Sequence, residues 1–283
     1  MWVKIVYLVY NPITTVLLRL IISSILLFAI GKSLNRIQKI NKADRRQLIL
    51  LAFFEPFMYF MGESFGLKHV SSTLGAVIIS TIPLLSPVAA YFFYKEKIGT
   101  KTVVGILISI IGVAVIIFNK QLNLIASPSG IALMFLAVAS AVAYSIVLKN
   151  LASKYTPLTL ISCQNLLGIG LFLPSFLIFE WQHFINASPT AEVWIALLQL
   201  AIFASSLAFI FFTYGLKHLG ITKSNIFINA IPVFTAIFAY FVLNETLSFQ
   251  KMLGISIVIS GLFLSQAKLK LSRKRSKQWL RSR

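Results

Sequence analysis

The chain has 283 residues, of which 58% are hydrophobic and only 12% charged. That charged share is about half of what a soluble domain carries, so a water-soluble fold is excluded and an integral membrane protein is expected. The net charge of +19 does not point to nucleic acid, because the 26 basic residues lie in connections and a tail between apolar runs. One cysteine, Cys163, excludes an intrachain disulfide and a cysteine-rich metal centre. The three histidines, His69, His183 and His218, share no metal-ligand spacing, so no metal or other cofactor is expected. Met1 to Tyr10 is too short for the apolar region and cleavage site of a signal peptide.

Nine apolar stretches are predicted to cross a bilayer as helices, at about 13–31, 47–66, 72–94, 102–119, 129–148, 157–179, 192–214, 224–243 and 251–267. The ten-residue alternating strands of a membrane β-barrel are not seen. The first stretch carries Arg19, and the second carries Glu55 and Glu63. Each would be costly at mid-bilayer by about 2.5 kcal/mol or more, so each is expected to face protein or water. The third and eighth carry prolines at mid-helix, Pro83 and Pro232. The basic tail, 268–283, is expected to be disordered or to lie on the anionic inner leaflet.

The segment 66–112 recurs 149 positions later as 215–261, with about one position in three identical. GLKHVSSTLG returns as GLKHLGITKS, and STIPLLSPVAAYFFYKEK returns as NAIPVFTAIFAYFVLNET. Such a long period predicts two structural halves rather than a solenoid. Placing the tail in the cytoplasm puts 21 Lys and Arg inside and 4 outside, with Arg19 left within a span. This orientation is expected from the bias of positive charge to the cytoplasmic side. Aligning Pro12 with Pro157 sets the counterpart of 129–148 before Met1. The chain is therefore expected to begin near the end of a missing first helix, through a misassigned start or a truncation. With five helices per half, the halves must have opposite topology, a design common among transporters.

The ordered pair of halves resembles the drug/metabolite transporter superfamily, specifically its EamA-type members. The residues that carry the resemblance are Pro83 and Pro232, then Glu96 and Glu245, then Gly105, Gly112, Gly254 and Gly261, with Pro12 followed by Arg19. The resemblance implies an all-α ten-helix fold of two inverted five-helix repeats. The expected repeats are 1–120, lacking most of helix 1, and 128–267. It also implies an inner-membrane carrier with both termini cytoplasmic, moving small organic solutes through a cavity between the halves.

Glu55 and Glu63 lie eight residues apart, roughly 80° in helical projection, and can border one cavity. They are candidates for proton or cation coupling, with Arg19 as a third; an Arg19–Glu55 ion pair clipping two helices is the competing role. Tyr59, Ser80, Pro83, Asn225, Asn229 and Pro232 are expected to line a solute cavity at the repeat interface. For Tyr144, Gln164, Asn165, Ser205 and Tyr214, helix packing is the expected role, and for the recurring glycines close helix approach. No nucleophile, metal cluster or paired Asp suggests an enzyme. The expected function is a secondary transporter, an exporter of metabolites, amino acids or drugs working by alternating access, with proton coupling through Glu55 or Glu63 as an addition. The alternative is a non-transporting membrane receptor or assembly factor derived from a truncated carrier. The expected partners are a solute, the lipid bilayer and a coupling proton, with a homodimer left open.

Overall fold

The computed structural model describes residues 2–95, 99–118, 126–219, 224, 228, 231–243 and 248–266. Seven helical runs among them are long and apolar enough to cross a membrane: Pro12–Ser33, Lys42–His69, Ser72–Phe93, Thr100–Ile117, Pro128–Ala152, Pro157–Phe179 and Ala191–His218. They match the first seven predicted spans and define an all-α, multi-pass membrane fold. The predicted count of nine is not reached among the described residues. Of 224–243, the described helix is Ile231–Leu243, whose 13 residues are too short to cross alone. The last apolar helix, Phe249–Gln266, has 18 residues and stands near the lower limit of a spanning length. Asn225, Asn229, Glu96, Glu245 and the basic tail lie outside the described residues.

The chain opens with α1 (Trp2–Val6) and α2 (Pro12–Ser33). Proline at the start of α2 costs no hydrogen bond, because the first amides of a helix have no intrahelical acceptor. Next come α3 (Arg45–Ala52), a π-helical turn (Phe53–Met58) and α4 (Tyr59–His69), two helices that meet at a kink at Glu55 and Pro56. Glu55 sits in that turn with extended backbone angles, φ −146° and ψ 118°. The second half repeats this as α11 (Ala191–Gln199), a π-helical turn (Leu200–Leu207) and α12 (Ala208–Leu219), with no proline. Shifting Phe53–Met58 by 149 residues lands inside Leu200–Leu207, so the wide turn belongs to the repeat. Such turns open the backbone ladder and often mark functional sites.

The third predicted span is broken into α5 (Ser72–Ile79) and α6 (Ile82–Tyr94). Pro83 is thus not mid-helix as expected; it stands in the first turn of α6, where its missing N–H is harmless. The break lies at Ser80 and Thr81, whose hydroxyls donate to Val77 O at 2.6 Å and Ile78 O at 2.7 Å, not to the carbonyl of Ile79. The remaining helices are α7 (Thr100–Ile117), α8 (Pro128–Ala152), α9 (Pro157–Phe179), α10 (Trp181–Ile185), α13 (Ile231–Leu243) and α14 (Phe249–Gln266). Pro232 holds the same place in α13 that Pro83 holds in α6.

Two pairs of repeat-related helices touch, and both run antiparallel. In α2 and α9, Leu17 packs in one cluster with Phe172 and Phe176, while further along Asn165 Nδ2 donates to Ser23 Oγ at 2.7 Å. In α7 and α14, a Cβ added at Gly105 would strike the carbonyl oxygen of Gly261, and one at Gly112 would lie 2.9 Å from that of Gly254. Ser109 Oγ donates to Val258 O at 3.0 Å between them. The glycines therefore let two backbones approach, the role expected of them. The ends of α2 and α9 also cap each other. Glu180, just past α9, accepts from the amides of Ile13 at 3.2 Å and Thr14 at 2.6 Å. Gln38, beyond α2, accepts from the amide of Thr156 at 2.6 Å and donates its own amide to Thr159 Oγ1 at 3.0 Å. Each end satisfies amides that a helix start leaves unpaired.

The end of α8, from the second half, packs Leu148, Leu151 and Ala152 on Leu48 and Leu51 of α3 in the first. In return α1 and Tyr10, from the first half, pack on Val193, Ala196 and Leu197 of α11, the equivalent of α3 in the second. Leu107, Ile110, Ile111, Ile178, Phe211 and Phe241 are exposed, an apolar exterior suited to lipid tails.

Candidate functional site

A cavity of about 240 Å³ opens between the halves. Its walls include three pairs of residues related by the 149-residue shift: Tyr59 with Ala208, Ile79 with Ile228, and Ile82 with Ile231. The cavity thus straddles the relation between the repeats. The π-helical turn contributes Glu55, α12 adds Phe209 and Phe212, and α8 adds Ala141, Tyr144 and Ser145. The partners of Glu55 and Glu63 under the shift are Ala204 and Phe212. The charges therefore appear in one half and apolar side chains stand in their places in the other.

Glu55 is 7% exposed, and among the described residues its carboxylate makes no hydrogen bond or ion pair. The Pro56 turn explains its placement. A regular helix would run the backbone past this point, whereas the extended angles at Glu55 turn the side chain toward the gap between α4, α8 and α12. Ser140 Oγ of α8 holds the loosened turn by donating to Phe54 O at 2.6 Å. Pro56 itself packs on Gly168 of α9, where an added Cβ would lie 2.5 Å from the proline ring.

A second cavity of about 230 Å³ shares Tyr59, Ile79 and Ile231 with the first and is bordered by Glu63, Lys4 and Thr235. Tyr59 stands between the two carboxylates, and its hydroxyl donates to Glu63 Oε1 at 3.2 Å. On the other side a cavity of about 420 Å³ shares Ala208, Phe212, Ile228 and Ile231 and reaches Gly215 and Ser224. The three cavities form a chain of adjoining spaces along the contact between the halves.

Arg19 is not paired with Glu55 among the described residues. Its Nε donates to Ser205 Oγ at 2.7 Å and its guanidinium lies 4.3 Å over the Phe60 ring. Phe60 meets Phe209 edge to face at 6.4 Å, and Phe209 meets Tyr144 likewise at 6.3 Å. A chain of ring contacts therefore runs from the arginine to Phe209 and Tyr144 in the cavity wall. Around the second π-helical turn, Asn165 Nδ2 donates to Ser205 O at 3.1 Å and Ser23 pairs with Ser206 at 2.7 Å between hydroxyl oxygens. This polar knot satisfies the carbonyls that the wide turn frees.

Of the predicted cavity residues, Glu55 and Tyr59 line the space. Ser80 and Pro83 are buried away from it, the serine hydroxyl being spent on its own helix. Asn225 and Asn229 lie outside the described residues, and Pro232 is described by its backbone alone. Sequence reasoning missed the four isoleucines and the two phenylalanines. The isoleucines carried a usable signal, since Ile79 and Ile228, like Ile82 and Ile231, are identical across the repeat. Glu180, just past the predicted span 157–179, is buried as the cap of α2.

Two antiparallel helix pairs and a cavity with an embedded carboxyl group between them belong to an all-α, multi-pass membrane protein. The EamA-like transporter family model matches residues 1–118 and again 128–266. The chain belongs to that family of the drug/metabolite transporter superfamily and is a membrane transporter of its type. It is 29% identical over 260 residues to the uncharacterized transporter YetK of Bacillus subtilis, covering 89% of this chain and 78% of that protein. It is 27% identical over 257 residues to an uncharacterized transporter of Archaeoglobus fulgidus, covering 90% and 88%. A protein of known crystal structure superposes with a TM-score of 0.69 at 16% identity, over 90% of this chain and 88% of that one, a likeness of fold.

Proposed function

We propose that the chain is a secondary transporter that exports a small organic solute by alternating access. In this reading residues 1–120 and 128–267 are two inverted halves, the cytoplasmic side holds the C terminus and the membrane is the cell's inner membrane. The antiparallel contacts of α2 with α9 and of α7 with α14 support inversion, because equivalent helices of halves with the same topology would run parallel. The observation that carries the reading is the position of the Glu55 cavity, walled by shift-related residues of both halves. A site on such a relation can open to either side as one half rocks against the other.

Glu55 and Glu63, with Tyr59 between them, are the candidates for coupling flux to a proton gradient. A carboxylate that exchanges a proton with each cavity in turn links solute movement to that gradient. The experiment is flux into proteoliposomes with and without an imposed pH gradient. Wild-type flux should follow the gradient and Glu55→Gln flux should lose that dependence. A Glu55→Gln protein whose flux still follows the gradient removes Glu55 from coupling, and Glu63→Gln then tests the second candidate.

A further inference from the structure

We infer that the solute of the Glu55 cavity is a small lipophilic amine bound as its cation, an inference that rests on the transporter reading above. The cavity presents one uncommitted polar group among its described lining residues, the Glu55 carboxyl, which becomes an anionic acceptor when it gives up its proton. Every hydroxyl beside it is already used. Tyr59 donates to Glu63, Tyr144 donates to Gln164 Oε1 at 3.1 Å, and Ser145 donates to Ala141 O at 3.0 Å. No Lys, Arg or His is among the described lining residues, and Arg19 donates to Ser205 and lies over the Phe60 ring.

The rest of the wall is aliphatic or aromatic. Tyr59, Tyr144, Phe209 and Phe212 supply aromatic rings, whose faces attract a desolvated ammonium. The isoleucines offer apolar area to the carbon skeleton. An amino acid would bring a carboxylate that no uncommitted donor among the described lining residues meets, and burying an unpaired carboxylate is strongly unfavourable. An organic anion would add repulsion from Glu55. The volume, about 240 Å³, is below the usual range for drug-sized ligands and suits a monoamine with one ring.

The test uses the purified full-length protein in detergent at neutral pH and calorimetric titration with four probes of one skeleton. They are phenethylamine, 2-phenylethanol, phenylalanine and 3-phenylpropionate. Phenethylamine should bind roughly tenfold or more tightly than each of the others, and Glu55→Gln should weaken it roughly tenfold or more. Phe212→Leu, which keeps an apolar wall, should weaken the amine several-fold and leave 2-phenylethanol nearly unchanged, and it serves if Glu55→Gln does not fold. Equal binding of the four probes, preference for either carboxylate-bearing probe, absence of amine binding, or amine binding untouched by both variants would overturn the inference. Proteoliposome flux separates this outcome from failure of the transporter reading. Flux of a non-cationic solute without amine binding leaves a transporter of another substrate class. Amine binding with no flux of any solute leaves the site and removes the transporter.

Discussion

Gly105 of α7 and Gly261 of α14 meet backbone to backbone, so closely that neither has room for a Cβ. The 149-residue shift takes Gly105 to Gly254, which packs on Gly112, and takes Gly112 to Gly261. The contact therefore maps onto itself, and two repeat-related helices bury one shared surface. Gly105→Val or Gly261→Val should destabilise the protein by about 1–3 kcal/mol, because backbone on the facing helix cannot step aside as a side chain can. Thermal unfolding in detergent measures this. Gly170→Ala is the control, since nothing lies within 4 Å of that position, and it should be neutral or stabilising.

Glu180 closes the start of α2 from another helix. Glu180→Ala should cost about 0.5–2 kcal/mol, the range for loss of an N-terminal cap. Hydrogen exchange should rise at the amides of Ile13 and Thr14 before it rises in the middle of α2. Uniform protection along α2 in the variant would show that the cap is replaced by other groups.

Asn165 supplies donors to Ser23 Oγ and Ser205 O at the second wide turn. Asn165→Leu should cost about 1–3 kcal/mol by leaving a buried carbonyl with fewer donors. Thermal unfolding reads the loss, and Asn165→Gln should recover part of it.

Lys154 Nζ sits 2.7 Å from Asp44 Oδ1, and Tyr155 OH donates to Asp44 Oδ2 at 2.8 Å, joining the loop before α3 to the loop after α8. The hydrogen bond to Asp44 is the first cause that raises the Lys154 pKa above its ordinary value. A raised lysine stabilises the fold at all pH below its unfolded value and loses that contribution as pH rises through the folded one. The melting temperature should therefore show a small alkaline decline that Lys154→Arg abolishes, because arginine keeps its charge there. The effect is small because half of the Lys154 side chain faces solvent. An alkaline decline of equal size in Lys154→Arg would assign it to other groups.

Several features were legible before any coordinates. Span-length apolar runs fixed seven of the crossing helices, because a bilayer demands about twenty apolar residues whatever the tertiary contacts are. The shift of 149 revealed two halves, and burial cost and helical spacing singled out Glu55 and Glu63 as groups that could border a cavity. Pro83 was misread because a proline excludes a regular helix at its own position without saying whether the helix kinks or restarts. That choice fell to Ser80 and Thr81, whose hydroxyls hold the severed end. Arg19 and Glu55 lie in adjacent spans and carry opposite charges, which suggested a pair. Rotation of the helices about their axes is set by packing, and it brought Ser205 and Phe60 to the arginine instead.

The amino-acid sequence by itself determined that the protein lies in a membrane, that it has two related halves and that charged residues stand in the interior of spans, Arg19, Glu55 and Glu63, in only the first. These follow from composition, periodicity and the cost of burying charge, which are local properties of a chain in lipid. Tertiary structure alone decided that Glu55 stands without a partner among the described residues, that Glu180 caps a helix far from it in sequence, and that four isoleucines line one cavity. Each depends on which helix faces which and at what rotation. Those are settled by interlocking surfaces such as Gly105 on Gly261 and Pro56 on Gly168, where a single methyl group would change the fit.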